Sequence, residues 1–161
     1  MRPAEPPARD GGNPAEPPAR DDGNPAAREM MTAASARAQV LAVVRGHWGS
    51  SGRPPAEQAV TDLLLVTSEL VSNANRHGGG VVAFEATPAR DGIRLTVHDR
   101  SPHIPTVAFG SGALPVGHDG GGYGWPLIIR LAHEIVIEQC AHGGKSVSVV
   151  VPLRARPEPG P

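Results

Sequence analysis

The spacing of apolar residues changes character along the chain. In residues 32–48, "TAASARAQVLAVVRGHW", Val40, Leu41, Val44 and Trp48 recur at helical spacing within an Ala-rich stretch, and alanine has the highest intrinsic helix propensity. "GSSGRPP" breaks that pattern. A second helix is expected from Pro55 or Ala56, since proline is tolerated in a first turn, and it runs to about His77, where "GGG" stops it. After the glycines the chain turns to strand-like patterning. "VVAFEAT" (residues 81–87) and "IRLTVHD" (93–99) read as strands joined by the turn "PARDG". Residues 100–124 are rich in Gly, Pro and Ser with little periodicity; long loops of this kind inside compact domains are usually functional or disordered. "WPLIIRLAH" (125–133) predicts a short helix with Pro126 early in it, and "EIVIEQC" and "SVSVVVPL" predict a hairpin around "AHGGK". The order α-α-β-β-loop-α-β-β implies an α/β (α+β) two-layer sandwich: a mixed, mainly antiparallel sheet with helices on one face.

The second helix carries the most informative pattern. On a wheel of 100° per residue, Val60, Leu63, Leu64, Leu70, Val71 and Ala74 form a broad apolar face. Asp62, Glu69, Asn73 and Arg76 form a narrow polar stripe opposite, with His77 at its edge and Leu65 and Val66 flanking it. A solvated outer face normally carries more charge than this. Periodicity leaves two readings open: a surface stripe, or a polar strip lining a pocket. In a pocket, a carboxylate could act as base and an amide oxygen could ligate a hard cation such as Mg²⁺.

Composition narrows the classes. The chain has 161 residues, suited to one domain with tails. The domain is expected at residues 32–153, and "RARPEPGP" (154–161) reads as a C-terminal tail. At the other end, "PAEPPARDGGN" (3–13) is repeated at once as "PAEPPARDDGN" (14–24). These units have no apolar face to stack, so residues 1–28 are expected to be a disordered Pro/Gly-rich tandem-repeat tail. Formal net charge is −1, which aims no strong field at nucleic acid or an anionic membrane. Cys140 is the only cysteine, which excludes an intrachain disulfide and a Cys-rich zinc site. The first residues lack the apolar core of a signal peptide, and no apolar run is long enough to span a bilayer. A soluble cytoplasmic protein is the expectation. Aromatic residues make up 3% of the chain, so its core must rest on Val, Leu, Ile and Ala.

"GHDGGGYGWPLII" (117–129) places Gly120, Gly121, Gly122 and Gly124 just before a helix. Such glycines let backbone N–H groups approach an anion, and a helix N-terminus adds unpaired donors. A dinucleotide fingerprint beginning at Gly122 and Gly124 fails, because its third glycine would be Leu127. "GGKS" (143–146) imitates the end of a P-loop, but Gln139 stands where that motif needs glycine and a strand follows instead of a helix. Lys145 therefore reads as a hairpin residue. The histidines show no compact ligand spacing and read as scattered surface residues. Cys140 ends an apolar strand and reads as a core residue. No nucleophilic serine element is present.

Three pieces in order, "ELVSNANRHG" (69–78), "VHDRSPHIP" (97–105) and "GGYGWPLI" (121–128), together resemble the ATP-binding domain shared by histidine kinases and gyrase. The likeness is strongest to the stand-alone branch, the bacterial anti-sigma-factor serine/threonine kinases and their regulatory relatives. It covers roughly residues 32–153. The resemblance implies that Asn73 ligates an Mg²⁺ ion bridging the ATP phosphates, and that Glu69, one turn earlier, serves as general base. It implies that Asp99 accepts a hydrogen bond from the adenine amino group, that Gly122 and Gly124 open the helix closing on the phosphates, and that Ser146 lies near the adenine. Residues 100–121 would form a lid over ATP. Ser101 stands where the wider family has glycine, a form common in the stand-alone branch, and Tyr123 stands where arginine is frequent. Residues 24–31 show no convincing strand, although the branch commonly begins with one.

The function so implied is an ATP-binding regulatory protein, an anti-sigma-factor serine/threonine kinase. It would phosphorylate a Ser or Thr of a small antagonist protein and sequester a sigma factor. The relatives often form homodimers. The alternative is a module that uses ATP as a conformational ligand without phosphoryl transfer; a stand-alone ATPase is the third reading.

Overall fold

A computed structural model describes residues 30–49, 54–104 and 124–153. The expected tails, the glycines before Gly124 and most of the proposed lid lie outside these residues.

Helix α1 is Ala33–Trp48. Thr32 caps it: its side chain accepts from the Ser35 amide, and Ser35 Oγ accepts from the Thr32 amide, each at 3.1 Å. Two amides that a helix start would leave orphaned are thus satisfied reciprocally. Ala36, Val40 and Val44, four residues apart, bury one narrow line of the helix, which packs beside α2, Glu57–His77. Arg37 Nη1 donates to Ser68 Oγ across this pair at 3.0 Å. Asn75 ties three segments together: its Nδ2 donates to Met31 O at 2.9 Å, and its Oδ1 accepts from the Val81 amide at 3.3 Å.

The buried face of α2 is Leu63, Val66, Thr67, Leu70, Val71 and Ala74. This moves the apolar face around the wheel from its expected position. Val66, expected beside the polar stripe, is core, whereas Val60 and Leu64 are only partly buried. Thr67 is tolerated in the core because its hydroxyl donates to Leu63 O at 2.8 Å, leaving a methyl to pack. One consequence matters for the site: Glu69 and Asn73 stand next to the core face.

The remaining elements are β1 Val81–Pro88, β2 Gly92–Asp99, α3 Gly124–Leu131, β3 His133–Gln139 and β4 Lys145–Pro152. Their order agrees with the sequence pattern, with ends moved by one or two residues. The sheet runs β1-β2-β4-β3, and among the described residues all its pairings are antiparallel. The parallel component of the expected mixed sheet is not among them. All three helices lie on one face. Ile93, Leu95 and Val97 of β2 meet Val147, Val149 and Val151 of β4 on that face, under Leu63, Leu70 and Ile128. Alternate residues of a strand share a face, so Asp99 and Lys145, at the ends of these two series, also point toward the helices. No helix among the described residues is long and apolar enough to cross a membrane.

Candidate functional site

The site forms where the last turns of α2, the start of α3 and the ends of β2 and β4 meet. Glu69 and Asn73 are one turn apart on α2, so they project on the same side of that helix. The N-terminal residue of α3, Gly124, sits directly against both. A Cβ placed on it would lie 2.6 Å from Glu69 Oε2 and 3.3 Å from Asn73 Oδ1. Only a residue without a side chain permits this approach, and it brings a helix N-terminus, with its unpaired amides, to the carboxylate and the amide.

Asn73 Nδ2 is buried and has no hydrogen-bond partner among the described residues. An orphaned buried amide costs stability unless a ligand completes it. The amide can present its N–H₂ or, turned by half a revolution, its oxygen. An oxygen beside the Glu69 carboxylate is a donor set of the kind hard divalent cations take. The residues present therefore fit an Mg²⁺–phosphate group at this point.

Adjoining it is a pocket of about 280 Å³. Leu70, Ala74, Val97 and Val147 give it apolar walls, and Trp125, next to Gly124, lines it as well. At its polar end Asp99 and Lys145 form an ion pair, Nζ to Oδ2, of 2.7 Å, with side chains only 4% and 6% exposed. The cause is register: Asp99 and Lys145 are direct cross-strand partners on the helix-facing side of the sheet. Ser101 closes the arrangement. Its amide donates to Asp99 Oδ1 at 3.0 Å, and its carbonyl accepts from Lys145 Nζ at 3.2 Å. Gly78, just past α2, lies so close under the Asp99 carboxylate that a Cβ there would collide with Oδ2. The "HG" that ends the helix thus makes room for the aspartate.

Four of the sequence-predicted site residues, Glu69, Asn73, Asp99 and Gly124, come together here. Gly122 lies outside the described residues. Ser146 is placed differently from expectation. Its cross-strand partners are His98 and Glu138, on the face away from the helices, and the pocket is lined by its neighbours Lys145 and Val147 instead. The pleat decides this: a shift of one residue reverses the face. Lys145, read from sequence as a hairpin residue, is the one that meets Asp99. His77 and His103, read as helix-end and surface residues, also line the pocket. The four-residue step from Asn73 to His77 was the available signal for the first of these. Cys140 is a free, half-buried thiol just beyond β3, with Sγ 3.9 Å from His98 Nδ1. No group of side chains suited to a metal by His, Cys, Asp and Glu alone occurs among the described residues.

The two-layer sandwich thus gathers a polar helix stripe, a strand-end aspartate and a helix that starts at a glycine at one end of the molecule. A family model, described as the histidine kinase-like ATPase domain, matches residues 25–151. The chain belongs to that family, and ATP is the ligand its membership implies. No curated protein matches the chain.

Proposed function

We propose that this protein is a regulatory serine/threonine kinase of the anti-sigma-factor type. It would transfer the γ-phosphoryl group of ATP to a Ser or Thr of a small antagonist protein, and would hold a sigma factor inactive by binding it. The observation that carries this reading is the convergence of the Glu69 carboxylate and the Asn73 amide on Gly124 at the start of α3. Phosphoryl transfer needs positioning and charge stabilisation more than covalent chemistry from the protein. Bound Mg²⁺ would supply charge neutralisation at the phosphates, with Asn73 as its protein ligand. Glu69 is placed to orient an acceptor hydroxyl and take its proton. The amides at the start of α3 donate to phosphate oxygens. Asp99, at the far end of the pocket, accepts from the exocyclic amino group of the base.

The test is incubation of the purified protein with γ-labelled ATP, Mg²⁺ and candidate antagonist proteins. Label should move to the antagonist and fail to move with Glu69→Ala, while that variant still binds ATP. Binding without transfer by the unaltered protein would replace the kinase with a module that uses ATP as a conformational ligand. Retention of full ATP affinity by both Asn73→Ala and Asp99→Asn would sink the nucleotide assignment itself.

A further inference from the structure

We propose that Lys145 is a second reader of the adenine base: its ammonium donates to ring nitrogen N1 while Asp99 accepts from the amino group at C6. The inference rests on the nucleotide reading above and adds a specificity-determining residue to it.

The pocket presents an apolar slot, walled by Leu70, Ala74, Val97 and Val147, that ends in a carboxylate and an ammonium 2.7 Å apart. Stability alone gives little reason for such a pair, since replacing a buried ion pair with apolar residues of similar size is often neutral or favourable. The order of the pair is fixed. Asp99 and Lys145 are direct partners at the ends of β2 and β4. Ser101 holds both, its amide donating to Asp99 Oδ1 at 3.0 Å and its carbonyl accepting from Lys145 Nζ at 3.2 Å. Gly78 lies close against Asp99 Oδ2. The acceptor and the donor therefore stay side by side and do not exchange places.

The hydrogen bonding of the pair is incomplete. An ammonium has three N–H donors, and among the described residues Lys145 Nζ has two acceptors, Asp99 Oδ2 and Ser101 O. One N–H remains for a ligand. The Asp99 carboxylate, which receives one bond on Oδ1 from Ser101 and one on Oδ2 from Lys145, keeps lone pairs for another donor.

An acceptor beside a donor complements an edge that offers a donor beside an acceptor. Adenine has such an edge at the end of its six-membered ring, where the C6 amino group donates and the adjoining N1 accepts. N7 also adjoins the amino group, but it belongs to the five-membered ring that carries the sugar. With the phosphates held at the start of α3 and the ion pair at the other end of the pocket, the six-membered ring points at the pair. Guanine offers the reverse order in that position. Its O6 lone pairs would face the carboxylate and its N1–H would face the ammonium, which leaves both of its groups unanswered.

The experiment is calorimetric titration of the full chain, with Mg²⁺, using ATP, 1-deaza-ATP and 7-deaza-ATP, in which C–H replaces N1 or N7. The unaltered protein should bind 1-deaza-ATP about tenfold to a hundredfold more weakly than ATP, the range for a hydrogen bond to a charged group. It should bind 7-deaza-ATP nearly as well as ATP. In Lys145→Met, which keeps the stem and removes the ammonium, ATP and 1-deaza-ATP should bind equally. The ratio is the readout, because losing the ammonium also leaves the Asp99 charge unpaired and alters ATP affinity by itself. Equal binding of ATP and 1-deaza-ATP by the unaltered protein overturns the proposal. So does a loss with 7-deaza-ATP in place of 1-deaza-ATP, or a 1-deaza loss that persists in folded Lys145→Met. The three titrations of the unaltered protein decide the matter where the variant does not fold. Failure to bind ATP at all overturns this inference and the nucleotide reading together, and is thereby distinct from ATP binding without the 1-deaza loss.

Discussion

At the residue scale, two close approaches organise the site, and each predicts a different defect. Lys145 and Asp99 are both buried, so removing one partner strands the other charge. Lys145→Ala should lower stability by about 3–5 kcal/mol, the usual cost of breaking a buried pair. Replacing both, as Asp99→Leu with Lys145→Met, should recover most of that loss; urea unfolding of the two variants checks both statements. Gly124 predicts the opposite pattern. Its added Cβ would meet the tip of Glu69, a flexible group that can move aside. Gly124→Ala should therefore keep the fold while displacing the carboxylate, and in the proposed phosphotransfer a misplacement of that order costs about 10²-fold in rate. Single-turnover phosphotransfer alongside a thermal melt separates the two effects.

At the scale of elements, the end of α2 was readable from its glycines, whereas the cap that starts α1 is a finding of the structure. The Thr32–Ser35 capping box lies three residues apart in sequence and closes on itself, so tertiary contacts are not needed to form it. Thr32→Ala should cost about 1 kcal/mol, measured by denaturant unfolding. The rotational position of α2 was less legible. Periodicity identified the helix and its polar stripe, but put Val60 and Leu64 in the core and Val66 beside the stripe. The sheet and its neighbours set the centre of the buried face at Leu63, Leu70 and Ala74. The start of β4 was likewise placed at Ser146, one residue late. That boundary does not alter which side chains face the helices; the pleat does, and it turns Lys145 toward them and Ser146, placed near the adenine by the resemblance, away.

For the whole molecule, helices on one face of a four-stranded sheet leave the core between the two layers, with β2 and β4 as its floor. Leu95, on β2, is fully buried. Leu95→Ala should destabilise the fold by about 2–5 kcal/mol, seen as a lower urea midpoint. Its lost volume lies away from the polar groups, so ATP affinity of the remaining folded protein should change little. The same two-layer plan puts the site at one end of the sandwich, where strand ends and helix ends meet.

The sequence by itself determined the succession of elements and the two-layer class, because these follow from local periodicity and local stop signals; Glu69, Asn73, Asp99 and Gly124 were picked out by the resemblance to the ATP-binding family, and the fold brings them to one end of the sandwich. The sequence did not determine which residue faces Asp99. That depends on the pairing of two strands separated by a long segment of chain, and a pairing one residue different would have turned Lys145 outward and Ser146 inward. Nor did it show that the Glu69–Asn73 strip meets a helix start, which requires α3 to dock against α2. The elements that build the pocket follow from local pattern, but the partner of its aspartate was decided only by the register of the folded sheet.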